Sequence, residues 1–568
     1  MSAFSRIKTK GLEAYRAFSF TEQIIFYTLL AIFTGSTLFL LAKVNEQFTV
    51  EVPLAGGTIK EGVVGYPRYI NPIISITDTG KDLSLLVYSG LLKATPEGSI
   101  IPDLADSYTV SEDGLEYTVI LKEDITFHDG KPVTTKDVDF TIKKLLDPAL
   151  KSPKAPNWKG VSVSVVDDRT IVFNLKAPYS PFLENLTLGI LPEHIWKDIN
   201  SEGFVFSQFN IEPVGSGPYK ITEIKQDKSG LPEYYHFVPF SKYALGKPYI
   251  KDFYTYFFTN EEKMLEAWND GIIDQMNSIS PEVAKNITTK KSALIHTPLP
   301  RIFGLFFNQN EAPVFTHKEV RLALNTVVNR QAIIDNVLFG FGTASFGPFP
   351  TQGQKDLVPK DTETLITIGQ EILERNGWTK NADSIYEKKD KKGSTLLSFS
   401  ISTSDTPELK ATAYLLKDIW TKLGAQVEIK IFELSDLNQN IIRGRKYDSL
   451  LFGQSVGRYN DIFAFWHSSE RNDPGLNVSM YTNSKVDKII DDLRKTTSEE
   501  KRVQLYETFE KEITNDIPAV FIYSPDFIYI THKNIKGVEI DGIVSASERF
   551  LNIHKWYTDT QKIWNIFN

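Results

Sequence analysis

The second half of the chain alternates between strand-like and helix-like patterns. Strands are predicted at 395–402, 426–432 and 447–452, and helices at 407–423 and 435–443. Strands that alternate with helices in this way form βαβ units, in which neighbouring strands run parallel. The pattern therefore predicts an α/β fold with a mostly parallel sheet.

The segment 102–146 combines a hairpin strand with a helix. A turn signal at Asp113 is followed by apolar side chains at every second position, which predict a strand over 115–121. A helix is predicted to begin after Thr134, because Asp137 lies three residues later and can complete a capping box. By themselves these patterns predict only a strand and a helix.

Short motifs follow one another in a fixed order along the first half of the chain. They are INP at 70–72, LVYSGL at 86–91, PDLA at 102–105, SEDGLEYTVIL at 111–121, FHDG at 127–130 and GSGPYK at 215–220. In this order and spacing they resemble the large extracytoplasmic solute-binding proteins of ABC importers, namely the oligopeptide- and dipeptide-binding family, family 5. The motifs build a lobe of that fold, and no ligand contact is assigned to them.

The resemblance implies a fold and a division of the chain. The fold is an α/β, two-lobed clamshell of the periplasmic-binding-protein type (type II, large class), preceded by one transmembrane helix. Lobe II, residues 298–523, is inserted into lobe I, residues 58–297 and 524–568. The crossings near 296–301 and 523–529 are expected to form the hinge.

Near the N-terminus, the segment 24–42 contains 19 residues without a charge. As a helix it spans about 28 Å, close to the hydrocarbon thickness of a bilayer. Basic residues precede it, so residues 1–23 are predicted to be cytoplasmic. Its apolar core is longer than that of a cleavable signal peptide, which favours an uncleaved anchor, with a signal peptide as the alternative. Residues 43–57 are predicted to link this anchor to the lobes outside the cytoplasm.

Composition excludes several classes of function. The chain has 568 residues and no cysteine, which excludes disulfides, thiolate catalysis, Cys-ligated zinc and iron–sulfur clusters. A net charge of −8 argues against a nucleic-acid partner, since phosphate binding needs a basic surface. His128-Asp129 is predicted to be a turn rather than a metal pair, because no further His lies at ligand spacing. We expect no cofactor, and no nucleophile-elbow or His-Glu-x-x-His pattern supports an enzyme.

The loop after the third predicted strand carries charged and aromatic side chains within nine residues. Ligands of open α/β sheets bind beyond the carboxyl ends of the strands, which is where this loop begins. Asp461 is predicted to pair with the ammonium of a peptide, and Arg458 with its carboxylate. Tyr459, Phe463 and Trp466 are predicted to form the walls of side-chain pockets.

The resemblance supports one of these roles. The sequence DIFAFWHSS at 461–469 is similar to the family's loop, in which an aspartate holds the peptide amine, and that role is carried to Asp461 only. Arg458-Tyr459 stands where the family has an Asp-Pro pair, which leaves the solute open. The alternative roles are a loop-capping carboxylate for Asp461, an exposed surface charge for Arg458 and core packing for Trp466.

These expectations describe a membrane-anchored solute-binding protein that captures peptides by lobe closure and delivers them to ABC permease subunits. We expect it to act as a monomer. The alternatives are the same fold with another solute, such as an oligosaccharide, nickel or a metal chelate, and a surface peptide receptor without a transport role. The sequence does not separate them, because all of them need the same cleft.

Overall fold

The computed structural model describes residues 17–287, 292–350, 361–390, 393–458, 460–496 and 498–564. Its contacts group the chain into two compact units. The larger unit, the body, is Gly56–Trp556, and the smaller unit joins the chain up to Ala55 with the chain from Tyr557 onward. The two ends of the chain therefore belong to one unit.

The described residues of the smaller unit form one helix and one pair of strands. The helix Phe20–Phe48 begins with a capping box, in which Ser19 and Glu22 bond to each other's backbone. By length and composition this helix is able to cross a membrane, and its side chains are exposed along most of its length. The strand Thr49–Leu54 then pairs antiparallel with Asp559–Trp564.

Residues 43–57 contain more regular structure than the predicted linker. The helix continues to Phe48 and a strand follows it directly. Phe48 stacks on Trp564, with ring centroids 6.5 Å apart. The partner strand comes from the far end of the chain, and for that reason no local pattern predicts the pairing.

Lobe I contributes several strands to a large mixed sheet and has a four-stranded sheet of its own. Its strands are Gly56–Val64, Leu92–Ala94, Ile100–Pro102, Ala105–Val110, Glu116–Leu121, Val161–Val165, Thr170–Leu175, Tyr219–Gln226, Pro232–Pro239, Ile250–Phe258, Gln275–Asn277 and Ser292–Pro298. Its helices are Asp78–Val87, Thr135–Leu145, Phe182–Asn185, Glu193–Trp196, Ser201–Phe204, Glu261–Asn269 and Pro281–Asn286. The strand and the helix predicted within 102–146 are both present.

Local chemistry explains how these elements begin and turn. The Asp137 carboxylate accepts the backbone N–H of Thr134 at 2.8 Å, which caps the helix as predicted. Gly215 and Gly217 lie against the end of the helix Asp78–Val87. A Cβ at Gly215 would meet the carbonyl oxygen of Val87 at 2.1 Å, so the GSGPY motif needs glycine there for close approach.

Lobe II packs helices against the other end of the large sheet. Its strands are Arg301–Phe307, Gly342–Ala344, Thr379–Lys380, Tyr386–Asp390, Gly393–Leu396, Ser398–Ser404, Gln426–Phe432 and Ser449–Ser455. Its helices are Lys318–Thr326, Arg330–Val337, Thr362–Arg375, Pro407–Leu423, Leu434–Asp436, the π-helical Leu437–Ile442, Phe463–Trp466, Ser484–Lys495 and Glu499–Asp516. The helix and strand predicted at 407–423 and 426–432 have the predicted bounds.

The sheet of lobe II is mixed, and the prediction of a mostly parallel sheet is wrong. Ser398–Ser404 runs parallel to Gln426–Phe432 and to Ser449–Ser455, as the βαβ pattern predicts. Arg301–Phe307 instead runs antiparallel to Ser449–Ser455 and to Ala519–His532. The chain enters lobe II along Arg301–Phe307 and leaves along Ala519–His532, so these neighbours must run in opposite directions.

The single helix predicted at 317–338 is two helices, Lys318–Thr326 and Arg330–Val337. Asn329 separates them, and its side chain accepts the N–H of Ala332 as an N-cap. The guanidinium of Arg330 turns inward and donates to the carbonyl of Phe521 at 2.7 Å. A capping residue inside an apolar pattern therefore ends one helix and begins the next.

The strand Ala519–His532 links the two lobes. Its first half pairs with Arg301–Phe307 and its second half with Ser292–Pro298. Separate hydrophobic cores lie on the two sides of this link, one around Phe253 and Phe237 in lobe I and another around Trp420 in lobe II. The expected two-lobed α/β fold is confirmed.

Candidate functional site

The Asp461 carboxylate lies where the two lobes meet. It follows the strand Ser449–Ser455, as the sequence predicts. Its Oδ2 accepts a hydrogen bond from the Arg494 guanidinium at 2.8 Å and one from the Tyr179 hydroxyl of lobe I at 3.3 Å. Its Oδ1 accepts the backbone N–H of Phe463 at 3.2 Å. Asp461 therefore caps its own loop and also pairs with a cation of the protein.

Two aromatic rings flank the guanidinium of Arg494. Its central carbon lies 4.2 Å from the ring centroid of Phe463 and 5.2 Å from that of Tyr179. The carbonyl of Arg494 accepts the backbone N–H of Ser180 at 3.2 Å, which is a second contact between the lobes. Burial and the nearby Asp461 carboxylate raise the pKa of the Tyr179 hydroxyl, so this hydroxyl remains a hydrogen-bond donor.

Sequence reasoning missed Arg494 and Tyr179. Arg494 is in the last turn of the helix Ser484–Lys495, where a basic residue is ordinary. Tyr179 is in the other lobe, 282 residues before Asp461. Neither residue carries a local signal. Only the folded chain brings them to the loop between the strand Ser449–Ser455 and the helix Phe463–Trp466, which we call the Asp461 loop.

Arg458 is not an exposed surface charge, because only 6% of its side chain is exposed. Its guanidinium lies 2.6 Å from the Glu548 carboxylate of lobe I and also donates to the carbonyl of Gly542 at 3.3 Å. Burial raises the pKa of Glu548, and the charge of Arg458 offsets part of that shift. Arg458 thus joins lobe II to lobe I by a largely buried ion pair.

The aromatic residues of the loop differ in their surroundings. The Phe463 ring is half-buried, contacts the Arg494 guanidinium and stacks on His467 at 4.4 Å. Trp466 is 1% exposed and packs in the core of lobe II with Phe306, so it does not form a pocket wall. Tyr459 lies outside the described residues.

A small depression of about 10 Å³ lies between the lobes at this point. Ser180 and Pro181 of lobe I face Asp461, Arg494 and other residues of lobe II across it. A cavity needs about 10–15 Å³ to hold one water molecule. In this arrangement of the lobes the depression therefore has room for about one water molecule and not for a peptide group.

The described residues contain no group of three or more His, Cys, Asp or Glu side chains placed to hold a metal ion. His128 is half-buried in a turn, where its Nε2 lies 3.1 Å from the carbonyl of Gly217. Asp129 pairs with His194 at 2.7 Å. These side chains serve the turn and its packing.

Comparison with known proteins identifies the family. Residues 99–475, more than half of the chain, match the family model described as "Bacterial extracellular solute-binding proteins, family 5 Middle". The chain belongs to family 5 of the bacterial extracellular solute-binding proteins. The predicted resemblance to family 5 is thereby confirmed.

Individual proteins of known name or structure are similar to this chain over most of its length. The oligopeptide-binding protein AppA of Bacillus subtilis is 27% identical over 516 residues, which cover 89% of this chain and 92% of AppA. The structure of AppA in complex with a nonapeptide superposes with a TM-score of 0.69 at 25% identity, covering 89% of this chain and 100% of AppA. NikZ from Campylobacter jejuni, in complex with Ni(L-His), superposes with a TM-score of 0.70 at 25% identity, covering 88% and 99%.

Proposed function

We propose that this family 5 protein is a membrane-anchored, extracytoplasmic peptide-binding protein that closes its lobes on a peptide and delivers it to the permease of an ABC importer. The observation that carries this proposal is the Asp461 carboxylate, which lies beside aromatic rings at the contact between the lobes. A carboxylate there suits a peptide ammonium, and the similarity to the oligopeptide-binding AppA supports a peptide as the solute. In this role the protein is not an enzyme, needs no cofactor and acts as a monomer.

Different residues of the loop take different roles in this proposal. Asp461 binds the N-terminal ammonium and Phe463 contacts the first side chain or the backbone of the peptide. Arg458, which pairs with Glu548, stabilises the closed arrangement instead of binding the peptide carboxylate. Trp466 supports the loop from the core, and Tyr459 keeps its predicted role as a pocket wall.

The predicted division of the chain is part of the proposal. Lobe I is 58–297 with 524–568, of which the part from Tyr557 onward groups with the N-terminal helix in the smaller unit, and lobe II is 298–523. Two short connections between lobes allow closure by a hinge, the common motion of such binding proteins. Small-angle scattering with and without a bound peptide tests closure, and an unchanged radius of gyration would contradict it.

The segment 24–42, within the helix Phe20–Phe48, is the proposed membrane anchor, with residues 1–23 in the cytoplasm and the lobes outside. Its apolar length supports a membrane span, and the basic residues before it support this orientation. Fractionation of cells that express the full chain tests the anchor. A soluble mature form that begins near residue 44 would identify the segment as a cleaved signal peptide.

The solute is tested by native mass spectrometry of protein purified without denaturation. We expect bound peptides, and calorimetric titration should then return a defined affinity for them. Recovery of an oligosaccharide or of a nickel chelate like that of NikZ would contradict the peptide proposal. Import is tested separately, by comparing peptide uptake in cells with and without this protein. If the protein binds a peptide but does not increase its uptake, it acts as a receptor rather than as an importer component.

A further inference from the structure

Three groups around Asp461 form a position suited to a cation, which we call the Asp461 cation position. They are the Asp461 carboxylate, the Phe463 ring of lobe II and the Tyr179 ring of lobe I. A carboxylate with two flanking aromatic faces attracts an ammonium or a guanidinium by charge and by the ring quadrupoles. In the structure this position is filled by the chain itself, because the Arg494 guanidinium lies 2.8 Å from Asp461 and between the two rings.

Arg494 makes fewer hydrogen bonds than several buried arginines of the fold. In three of those, Nε and both Nη nitrogens donate hydrogen bonds to carbonyl or side-chain oxygens; these are Arg330, Arg445 and Arg549. The Nε of Arg494 is buried and, like that of Arg458, has no hydrogen-bond partner among the described residues. Arg494 is the more exposed of the two, with 35% of its side chain exposed against 6% for Arg458. A guanidinium bonded so incompletely is easier to replace than one that is fully bonded.

Arg494 lies at the end of a helix, where its side chain can move away from Asp461 while its backbone stays in place. It is in the last turn of the helix Ser484–Lys495, and its backbone carbonyl, not its side chain, bonds to Ser180. About a third of the side chain is exposed, 35% against 0% for Arg549. The guanidinium can therefore leave Asp461 for solvent without disturbing the helix or the Ser180 contact.

We propose that Arg494 is a specificity-determining residue that fills the Asp461 cation position, so that a peptide binds by displacing this guanidinium with its own N-terminal ammonium. This inference rests on the proposed peptide function. Because one cation replaces another, the charge balance of the site is unchanged by binding. The affinity for the ammonium is reduced by the cost of moving Arg494, and a peptide with a blocked N-terminus does not displace it.

The test compares the full chain with its Arg494→Ala variant in calorimetric titrations with tetra-alanine and N-acetyl-tetra-alanine. Arg494→Ala should bind tetra-alanine up to about fivefold more tightly than the wild type, as expected when a partly exposed ion pair worth at most about 1 kcal/mol no longer has to be broken. Its affinity for the acetylated peptide should match that of the wild type. Arg494→Lys, which keeps a cation but loses the flat stacking surface, should show a smaller gain.

A matched control is Arg375→Ala. Arg375 also lies in the last turn of a helix, and it pairs with a carboxylate, Glu371, at 2.8 Å on an exposed surface. Its removal changes the net charge of the chain by the same amount, and the affinity for tetra-alanine should stay at the wild-type value. A gain in this control equal to that of Arg494→Ala would assign the effect to net charge and overturn the proposal.

A second probe does not involve a peptide. Ethylguanidinium should bind Arg494→Ala, where it replaces the missing guanidinium, and should not bind the wild type. Adding Asp461→Asn to Arg494→Ala should abolish this binding. Failure of ethylguanidinium to bind a folded Arg494→Ala variant would overturn the cation position.

The outcomes separate this inference from the function on which it rests. If tetra-alanine binds the wild type but Arg494→Ala shows an equal or lower affinity, Arg494 does not compete and the inference fails alone. If the alanine variant does not fold, as judged by its melting temperature, the same comparison is made with Arg494→Lys, and an equal or lower affinity again overturns the inference. If tetra-alanine binds none of these folded proteins, the proposed function fails and the inference fails with it.

Discussion

The guanidinium of Arg458 lies 2.6 Å from the carboxylate of Glu548, although 90 residues separate them along the chain. Arg458 belongs to the Asp461 loop of lobe II and Glu548 to the returning segment of lobe I. The pair is largely buried, with 6% and 16% of the two side chains exposed. It is therefore part of what holds the two lobes in this arrangement.

Replacing Glu548 by Gln should open the lobes in the absence of peptide. The change leaves the buried Arg458 charge without its counter-ion, and opening of the cleft returns that charge to water. Small-angle scattering should show a larger radius of gyration for Glu548→Gln than for the wild type. Glu371→Gln, which breaks the exposed pair with Arg375, should leave the radius unchanged, and no difference between the two variants would contradict a role in closure.

Replacing Asp461 by Asn should weaken the binding of a free-amine peptide by roughly 30-fold or more, since losing one partner of a desolvated charge pair costs about 2–5 kcal/mol. Asn keeps an acceptor for the Phe463 N–H, so the melting temperature should change little. Calorimetric titration of a peptide and its N-acetylated form checks both expectations. Equal binding of the two forms by the wild type would show that Asp461 does not read the ammonium.

Arg549→Met should destabilise lobe I by about 3–5 kcal/mol, because it leaves buried carboxylates without a counter-ion. Arg549 is fully buried, and its Nη2 donates to Asp82 at 2.7 Å while its Nε donates to Glu61 at 3.2 Å. Denaturation in urea measures the loss. Arg375→Met, on the surface, should cost less than about 0.5 kcal/mol, and an equal cost for the two would contradict this account.

The stability cost of Arg549→Met, measured against the wild type, should be smaller in acid than at neutral pH. Burial raises the pKa of Glu61, and Arg549 offsets part of that shift in the wild type. Without the arginine the folded-state pKa rises further, so proton uptake favours the folded variant as the pH falls. The difference in unfolding free energy between wild type and variant should therefore shrink between neutral pH and pH about 5. A difference that grows in acid would contradict this sign.

His128 should make the protein less stable as the pH falls below about 6.5. Burial lowers its pKa from 6.5 to about 4, and its Nδ1 accepts the N–H of Gly215, a bond that protonation removes. Because the folded-state pKa is depressed, the unfolded chain binds the proton first, and stability is lost as the pH falls from 6.5 toward 4. The loss in unfolding free energy is at most about 3 kcal/mol, at about 1.36 kcal/mol per unit of pKa difference between the folded and unfolded states.

Thermal unfolding of His128→Gln checks this prediction. The variant should lose melting temperature at pH 7.5, and the gap to the wild type should narrow toward pH 5, because Gln does not titrate. His532→Gln is the control, since His532 ends the strand Ala519–His532 and its ring accepts the N–H of Asn534 at an exposed site. A gap that stays constant with pH would show that His128 is not kept neutral by the fold.

The sequence by itself determined the local elements and the family of this protein. The helix Pro407–Leu423 and the strand Gln426–Phe432 have their predicted bounds, because apolar periodicity and the glycine at 424 act over neighbouring residues. The position of Asp461 after a strand end was predictable for the same reason. The apolar helix near the N-terminus was also predictable, but its continuation to Phe48 was not.

The tertiary structure alone decided which groups meet. The antiparallel entry of Arg301–Phe307, the pairing of Arg458 with Glu548 and the filling of the Asp461 cation position by Arg494 all join residues far apart in sequence. Such contacts depend on how the lobes pack and on which charged groups are desolvated when the lobes meet. The periodicity of the sequence does not predict these pairings, because each partner alone is an ordinary loop or helix residue.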